Sequence, residues 1–312
     1  MRILFTGGSS FTGFWFAREL AQAGHEVVVT LRRPPEEYPD AVRRERARLL
    51  AERCRPVIGA SFGEPAFLKL LADGPWDAFC HHAADVTNYK SPDFDCIAAV
   101  QANTRGVAAV AAAMKAGGCR RLICTGSVFE NDEGAGSEGL GAFSPYGLSK
   151  ALSWQIFRYY GLRDGLAVGK FVIPNPFGPW EEPRFTAYLL KNWIAGNAAA
   201  VNTPEYVRDN IHVSLLAKCY RSFVEHAPAT AGAFRMAPSG YVESQGAFAS
   251  RFAQEVRKRS KLACALELRT QTDFSEPRIR INTEPAARIV PDWNEAAAWD
   301  ELVEFSLRGA RG

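Results

Sequence analysis

Apolar positions along this chain follow two periods in turn. Short continuous apolar runs recur at Arg2-Ile3-Leu4-Phe5, Val27-Val28-Val29-Thr30, Val57-Ile58, Ala78-Phe79-Cys80, Arg121-Leu122-Ile123-Cys124, Ala167 to Val172 and Ala233 to Ala237. Between them, apolar residues fall three and four apart, as at Phe14, Phe16, Ala17, Leu20 and Ala21 before Gly24, or at Phe67, Leu68, Leu70 and Leu71. The first pattern is that of strands buried on both faces, the second that of amphipathic helices. Residues 34 to 56 predict a loop and an exposed helix, and Asn103 opens a helix over Val107 to Lys115, closed by Gly117-Gly118. Later segments predict helices over Glu181 to Gly196, Ile211 to Val224, Gln245 to Arg259 and 294 to 308, with a strand at Ala265 to Leu268.

Strand and helix alternating in this way specify an α/β protein, a Rossmann-like doubly wound parallel sheet. A smaller C-terminal substrate-binding part is expected beside it. The dinucleotide-binding domain is expected to span 1–172, with 201–237 returning to it; 173–200 and 238–312 form the substrate-binding part.

Composition narrows the function. The 312 residues are 47% hydrophobic and 23% charged, which suits a globular chain with ample core. Thirty-seven basic against thirty-four acidic residues give no reason to expect nucleic acid. The cluster Arg43-Arg44-Glu45-Arg46-Ala47-Arg48 reads as a solvated helix face. Seven cysteines without a CxxC pair, mostly in apolar runs, read as buried free thiols of a reducing compartment. Met1-Arg2 runs directly into a strand pattern, so no leader is expected, and no apolar run approaches the ~20 residues that span a bilayer. A cytoplasmic protein without membrane association follows.

Two stretches carry chemistry. Thr6-Gly7-Gly8-Ser9-Ser10-Phe11-Thr12-Gly13 joins the first strand to the first helix. Glycines there let the backbone approach a pyrophosphate, and the helix start favours its charge. Gly7, Ser9, Ser10, Phe11, Thr12 and Gly13 are therefore cofactor candidates. The second strand ends in Leu31-Arg32-Arg33 with no acid before Glu36, so Arg32 and Arg33 favour the 2′-phosphate of NADP(H), with NAD(H) the alternative. His81-His82-Ala83-Ala84 lacks any continuing ligand spacing for a metal. The small residues beside His82 read instead as room for a cofactor, with His82, Ala83 and Ala84 as contacts.

The second stretch is Tyr146-Gly-Leu-Ser-Lys150, opened by Ser144-Pro145. On a helix Tyr146 and Lys150 share one face. An ammonium one turn away favours the phenolate and draws a phenol from ~10 towards working pH, where it serves as proton donor and acceptor. Thr125-Gly126-Ser127 ends the fifth strand, where hydroxyls project into the ligand crevice of a parallel sheet. There Thr125 or Ser127 can donate to a substrate oxygen; a turn hydroxyl is the alternative for Ser127.

Assembled, these residues resemble the extended short-chain dehydrogenase/reductase family, with its nucleotide-sugar epimerases, dehydratases and reductases. The glycine loop is similar to TGxxGxxG, with Ser10 for the middle glycine. His81 to Ala84 resembles HxAA, Asn103 the family's structural asparagine, Thr125 to Phe129 the SxxVY segment, and Tyr146 with Lys150 its YxxxK. Asn175-Pro176-Phe177-Gly178-Pro179 resembles NxYGP with Phe177 for tyrosine, and Arg208 to Val213 the RDxIHV run of sugar-nucleotide enzymes. The resemblance implies catalytic Thr125, Tyr146 and Lys150, with Lys150 also holding the cofactor ribose. It implies substrate contacts from Ser127, Asn175 and Arg208, the last gripping a diphosphate, and Arg278 is a second basic candidate. Gly126 and Ser127 stand where the dehydratases carry Asp-Glu, which disfavours dehydration. The expected activity is hydride transfer at a nucleotide-sugar carbon, by 4-keto reduction or C4 epimerisation, in a homodimer packed through long helices. A non-catalytic dinucleotide-binding regulator of the same fold is the rival, and the intact Tyr146 and Lys150 speak against it.

Overall fold

The computed structural model describes residues 1–309. Its main sheet is built from β1 (Arg2–Thr6), β2 (Glu26–Leu31), β3 (Arg55–Ile58), β4 (Ala78–His81), β5 (Arg121–Ser127) and two later strands, Ala167–Ile173 and Gly232–Met236. The order is β3-β2-β1-β4-β5, then Ala167–Ile173, then Gly232–Met236, every pair parallel. Ile3, Leu4 and Phe5 are fully buried, as a central strand covered on both faces requires. The chain winds outwards from β1 in both directions, so the crevice between β1 and β4 is the ligand-binding switch point of such sheets. The expected fold class stands.

The helices of this part are α1 (Phe11–Gln22), α2 (Ala41–Ala51), α3 (Pro65–Ala72), α4 (Cys96–Thr104), α5 (Val107–Ala116) and α6 (Pro145–Arg163). Asn103 ends α4 instead of opening the helix that follows. The break falls at Gly106, which adopts φ +63°, and a Cβ there would stand 2.8 Å from the Gly63 carbonyl oxygen. Only glycine fits both the backbone and the gap.

The chain divides into two compact units: 1–133, 140–173 and 217–237 form the first; 134–139, 174–216 and 238–312 the second. Residues 201–216, expected with the main sheet, thus belong to the second unit. The reason is Val207–His212, which is a strand through Ile211 and His212, not the start of a helix. It pairs with Tyr241–Ser244, Ile279–Ile281 and Asn175–Phe177. The core of this unit gathers Phe177, Trp193, Phe248, Phe252 and Trp299 from that sheet and the helices Phe185–Ile194, Gln245–Arg259 and Glu295–Gly309.

Candidate active site

The loop after β1 is shaped by contacts that exclude side chains. Gly7 has φ +81°, and a Cβ on it would lie 2.7 Å from the Ala83 amide nitrogen; one on Gly13 would lie 2.2 Å from the Gly7 carbonyl oxygen. Ser10, which replaces the middle glycine of the motif, is the N-cap of α1. Its hydroxyl accepts from the Gly13 amide at 3.2 Å and donates to the Gly7 carbonyl at 2.9 Å. The amides of Phe11 and Thr12 are among those that a helix start leaves without an intrahelical acceptor. His82 supports the loop: its Nε2 lies 3.1 Å from the Ser10 hydroxyl and 3.0 Å from that of Thr12. Thr6 Oγ1 accepts from the amides of His82 and Ala83, both at 3.2 Å. Burial, then the charge of Lys150, lowers the pKa of the His81 and His82 rings to about 3, so both are neutral. His82 is thereby brought to the glycine loop as a support for its shape, with Ala83 and Ala84 following it.

Arg32 and Arg33 are exposed at the end of β2. The Arg33 guanidinium lies 5.9 Å from the Tyr38 ring centre and that of Arg43 5.1 Å from it. Arg43 also donates from Nε to Ser9 Oγ at 3.0 Å, tying α2 to the glycine loop. The charge pattern of residues 43 to 48 suggested only a solvated face. What singles out Arg43 is Asp40, the N-cap of α2, three residues before it: the cap accepts from the Arg43 amide and sets the first turn beside the loop.

Tyr146 and Lys150 lie in the first two turns of α6, capped by Ser144, whose hydroxyl accepts from the Gly147 amide at 3.3 Å. Gly147 permits the docking, since a Cβ there would stand 2.2 Å from the Phe129 carbonyl oxygen. The start of α6 is thus pressed against the segment that leaves β5. Lys150 reaches that strand: its Nζ donates to the Thr125 carbonyl at 2.7 Å. Tyr146 packs against Tyr89 and Phe94, ring centres 5.3 and 6.0 Å away. Lys150 and Thr125 line an enclosed cavity of about 20 Å³ with His81, Asn103, Ser153 and Lys170. His81 Nε2 and Asn103 Nδ2 have no hydrogen-bond partner among the described residues. Asn103 Oδ1 accepts from the Asp85 amide at 2.7 Å, fixing the loop after Ala84. Burial lowers the Lys150 pKa below its ordinary value, and Glu130 opposes that shift. Ser127 Oγ accepts from the Phe129 amide at 3.2 Å, a turn contact that leaves its own proton to donate.

The second unit holds Asn175, Arg208 and Arg278. Asn175 Nδ2 donates to the Asp209 carbonyl at 3.3 Å. Arg208 is 5% exposed and spends its fork inward: Nη1 donates to the carbonyls of Val207, Pro277 and Arg278, and Nη2 meets Glu276 at 2.8 Å. It lies flat against Tyr206, 4.4 Å from the ring centre. These contacts hold the guanidinium against its own unit, and a diphosphate gripped there, as the motif implies, would have to share or displace them. Asp209 is as buried, accepting from the amides of Gly240 and Asn282. Arg278 is exposed over Phe274 at 4.0 Å and keeps its charge towards solvent. Phe177, where the motif has tyrosine, sits at 2% exposure with Phe248 and Trp299 ring centres 5.2 and 5.4 Å away; a hydroxyl there would be buried.

All seven cysteines are free thiols, six of them buried. Among the described residues, no cluster of three or more His, Cys, Asp or Glu is placed to hold a metal, and no helix is long and apolar enough to cross a membrane.

The model of the NAD dependent epimerase/dehydratase family matches residues 3–235. No curated protein matches the chain significantly. Among solved structures, a mutant of UDP-glucuronic acid 4-epimerase from Bacillus cereus, in complex with UDP-4-deoxy-4-fluoro-glucuronic acid and NAD, is similar at TM-score 0.76 and 16% identity over 99% of each chain. A dTDP-glucose 4,6-dehydratase from Streptomyces venezuelae with NAD bound is similar at TM-score 0.72 and 18% identity, covering 99% of this chain and 97% of that one. UDP-glucose 4-epimerase from Thermotoga maritima, with UDP-glucose, gives TM-score 0.71 at 15% identity over 100% of both chains. At these identities the likeness is one of fold.

Proposed function

Because the chain belongs to the NAD-dependent epimerase/dehydratase family, we propose that it is a nicotinamide-dependent oxidoreductase of nucleotide sugars, acting by 4-keto reduction or by epimerisation at C4. The observation that carries this reading is the Lys150 ammonium, held by the Thr125 carbonyl one helical turn beyond Tyr146. Such a pair moves a proton to or from a sugar hydroxyl: the phenol donates or accepts, and the half-buried cation favours its ionised form. The Thr125 hydroxyl, with Ser127, orients the reacting oxygen.

A dinucleotide fits the residues present. The Gly7 and Gly13 cradle, which a Cβ would fill, admits a pyrophosphate against the start of α1. A nicotinamide held there supplies the acceptor and donor of hydride. Phe11, Thr12, Ala83 and Ala84 border it, and Lys150 holds the ribose. Arg32 and Arg33, joined by Arg43, support NADP(H), since guanidinium forks suit a 2′-phosphate. Two of the solved structures named above, the Bacillus cereus epimerase mutant and the Streptomyces venezuelae dehydratase, hold NAD, which keeps NAD(H) as the alternative. UDP-4-deoxy-4-fluoro-glucuronic acid and UDP-glucose are bound in two of those structures and support the substrate class here. Gly126 and Ser127 leave no acid pair for dehydration. For the substrate side, Asn175 and the exposed Arg278 remain the candidates.

Leu148, Leu152 and Tyr159 recur along one face of α6 and are 38–64% exposed, and Ile97 on α4 is 65% exposed. An apolar helix face of this kind supports a homodimer packed through α4 and α6. Free thiols throughout suit a reducing, cytoplasmic compartment.

The test is the cofactor itself. Freshly purified protein is denatured, any released nucleotide identified, and the apoprotein titrated with NADPH and NADH. A site without retained nucleotide that prefers NADPH indicates the ketoreductase. Retained NAD indicates the epimerase and removes the roles of Arg32 and Arg33. Binding of neither dinucleotide would contradict the reading as a whole.

A further inference from the structure

A second lysine, fully buried, lines the cavity that the half-buried Lys150 lines. Lys170, on the strand Ala167–Ile173, is 3% exposed and lines the same enclosed cavity as Lys150. Its Nζ is bracketed by Glu130 at 2.5 Å and Glu133 at 2.6 Å. Glu133 passes the network to Arg235 at 3.1 Å. The Trp154 ring centre, on α6, lies 5.4 Å from the Lys170 ammonium. Glu130 is fully buried and also accepts from the Ser127 amide at 2.7 Å, two residues beyond the carbonyl that holds Lys150. Room for this arrangement comes from Gly126, where a Cβ would stand 2.6 Å from Lys170 Cε.

Two ammoniums facing one small cavity repel each other, and the low dielectric of the interior strengthens that repulsion. The groups facing Lys150 do not otherwise offset it. The His81 and His82 rings on the β4 side are neutral, and burial pushes the Cys124 thiol of β5 up to about 12, so it carries no charge. Glu130 is the carboxylate that remains.

We propose that Glu130 is a positioning residue of the active site, acting through Lys150: together with Lys170 it sets the charge balance of the cavity and fixes the end of β5 on which Lys150 is held. Its influence on Lys150 is to favour the ammonium, while Lys170 disfavours it. The consequence for catalysis rests on the reading of Tyr146 and Lys150 given above, but the charge coupling does not.

The test is a pH titration of the Lys150 side chain in protein labelled with ¹³Cε-lysine, with the resonance assigned by its loss in Lys150→Met. Neither cofactor nor substrate is needed, so a failed nucleotide-sugar reading leaves this result standing. In Glu130→Gln the Lys150 midpoint falls by about one pH unit or more, the size expected for loss of an opposite charge at close range. In Lys170→Met it rises, and in the double variant it lies between the two. Opposite signs are the signature, because a role confined to holding the fold moves neither midpoint or moves both the same way. Either of those results overturns the proposal. Should Glu130→Gln fail to fold, Lys170→Met decides: an unchanged or lowered midpoint overturns it.

Discussion

The arginines at the end of β2 and the arginine of the Val207–His212 strand carry the same charge to opposite ends. Arg32 and Arg33 are exposed, and Arg43 stands beside them with one bond to Ser9. Arg208 is buried, with Nη1 donating to three carbonyls and Nη2 meeting Glu276. In sequence both segments read as anion sites. What separates them is whether the fork keeps donors to offer once the chain has folded, and that depends on the surroundings, not on the residue type. An arginine that satisfies carbonyls at the start of a strand stabilises the unit around it; one left at a loop edge keeps donors to offer a ligand.

Two substitutions sharpen this contrast. Arg208→Ala should have the largest effect, since it leaves several partly buried carbonyls without a donor and Glu276 without its partner. A stability loss of about 3 kcal/mol is expected from such groups, read as a lower denaturation midpoint in urea, with dinucleotide affinity of the folded protein unchanged. Arg43→Ala should instead leave the midpoint within about 0.5 kcal/mol, as surface changes do. It should weaken NADPH binding roughly tenfold, about 1.4 kcal/mol, and leave NADH binding nearly as it was. If Arg43→Ala unfolds the protein and spares NADPH, or if Arg208→Ala folds normally and loses substrate affinity, the contrast is wrong.

The legible parts of the molecule are those in which a local pattern has only one physical solution. β1, with Ile3, Leu4 and Phe5 buried on both faces, and the glycine loop after it are of that kind, and the family and fold follow from them. Ser10 looked like a departure from the glycine pattern; its role as helix cap depends on the local geometry that brings Gly13 within reach. Gly147 within the tyrosine–lysine stretch has a similar history, because its need arises from the Phe129 carbonyl, distant in sequence. Ile211 and His212 were read as helical because apolar periodicity cannot tell a short central strand from the helix it runs into. Their pairing with Pro176 and Phe177, in a strand whose first residues also pair with Ile279 and Arg280, overrides the local signal. The Lys170–Glu130–Glu133 cluster was equally invisible: a lysine inside an apolar strand pattern gives no hint of the carboxylates that a turn after β5 brings to it.

In the function proposed above, Tyr146, tuned by Lys150, exchanges the proton in hydride transfer on a nucleotide sugar. The most direct test compares wild type with Tyr146→Phe on UDP-glucose, UDP-glucuronic acid and their 4-keto forms, with NADPH and NADH supplied. Turnover of at least one of these by the wild type is expected. Removing the phenol hydroxyl should lower kcat by about 10²-fold or more, as for a general acid–base group, with dinucleotide binding unchanged. Turnover that survives the substitution undiminished would contradict the proposed function.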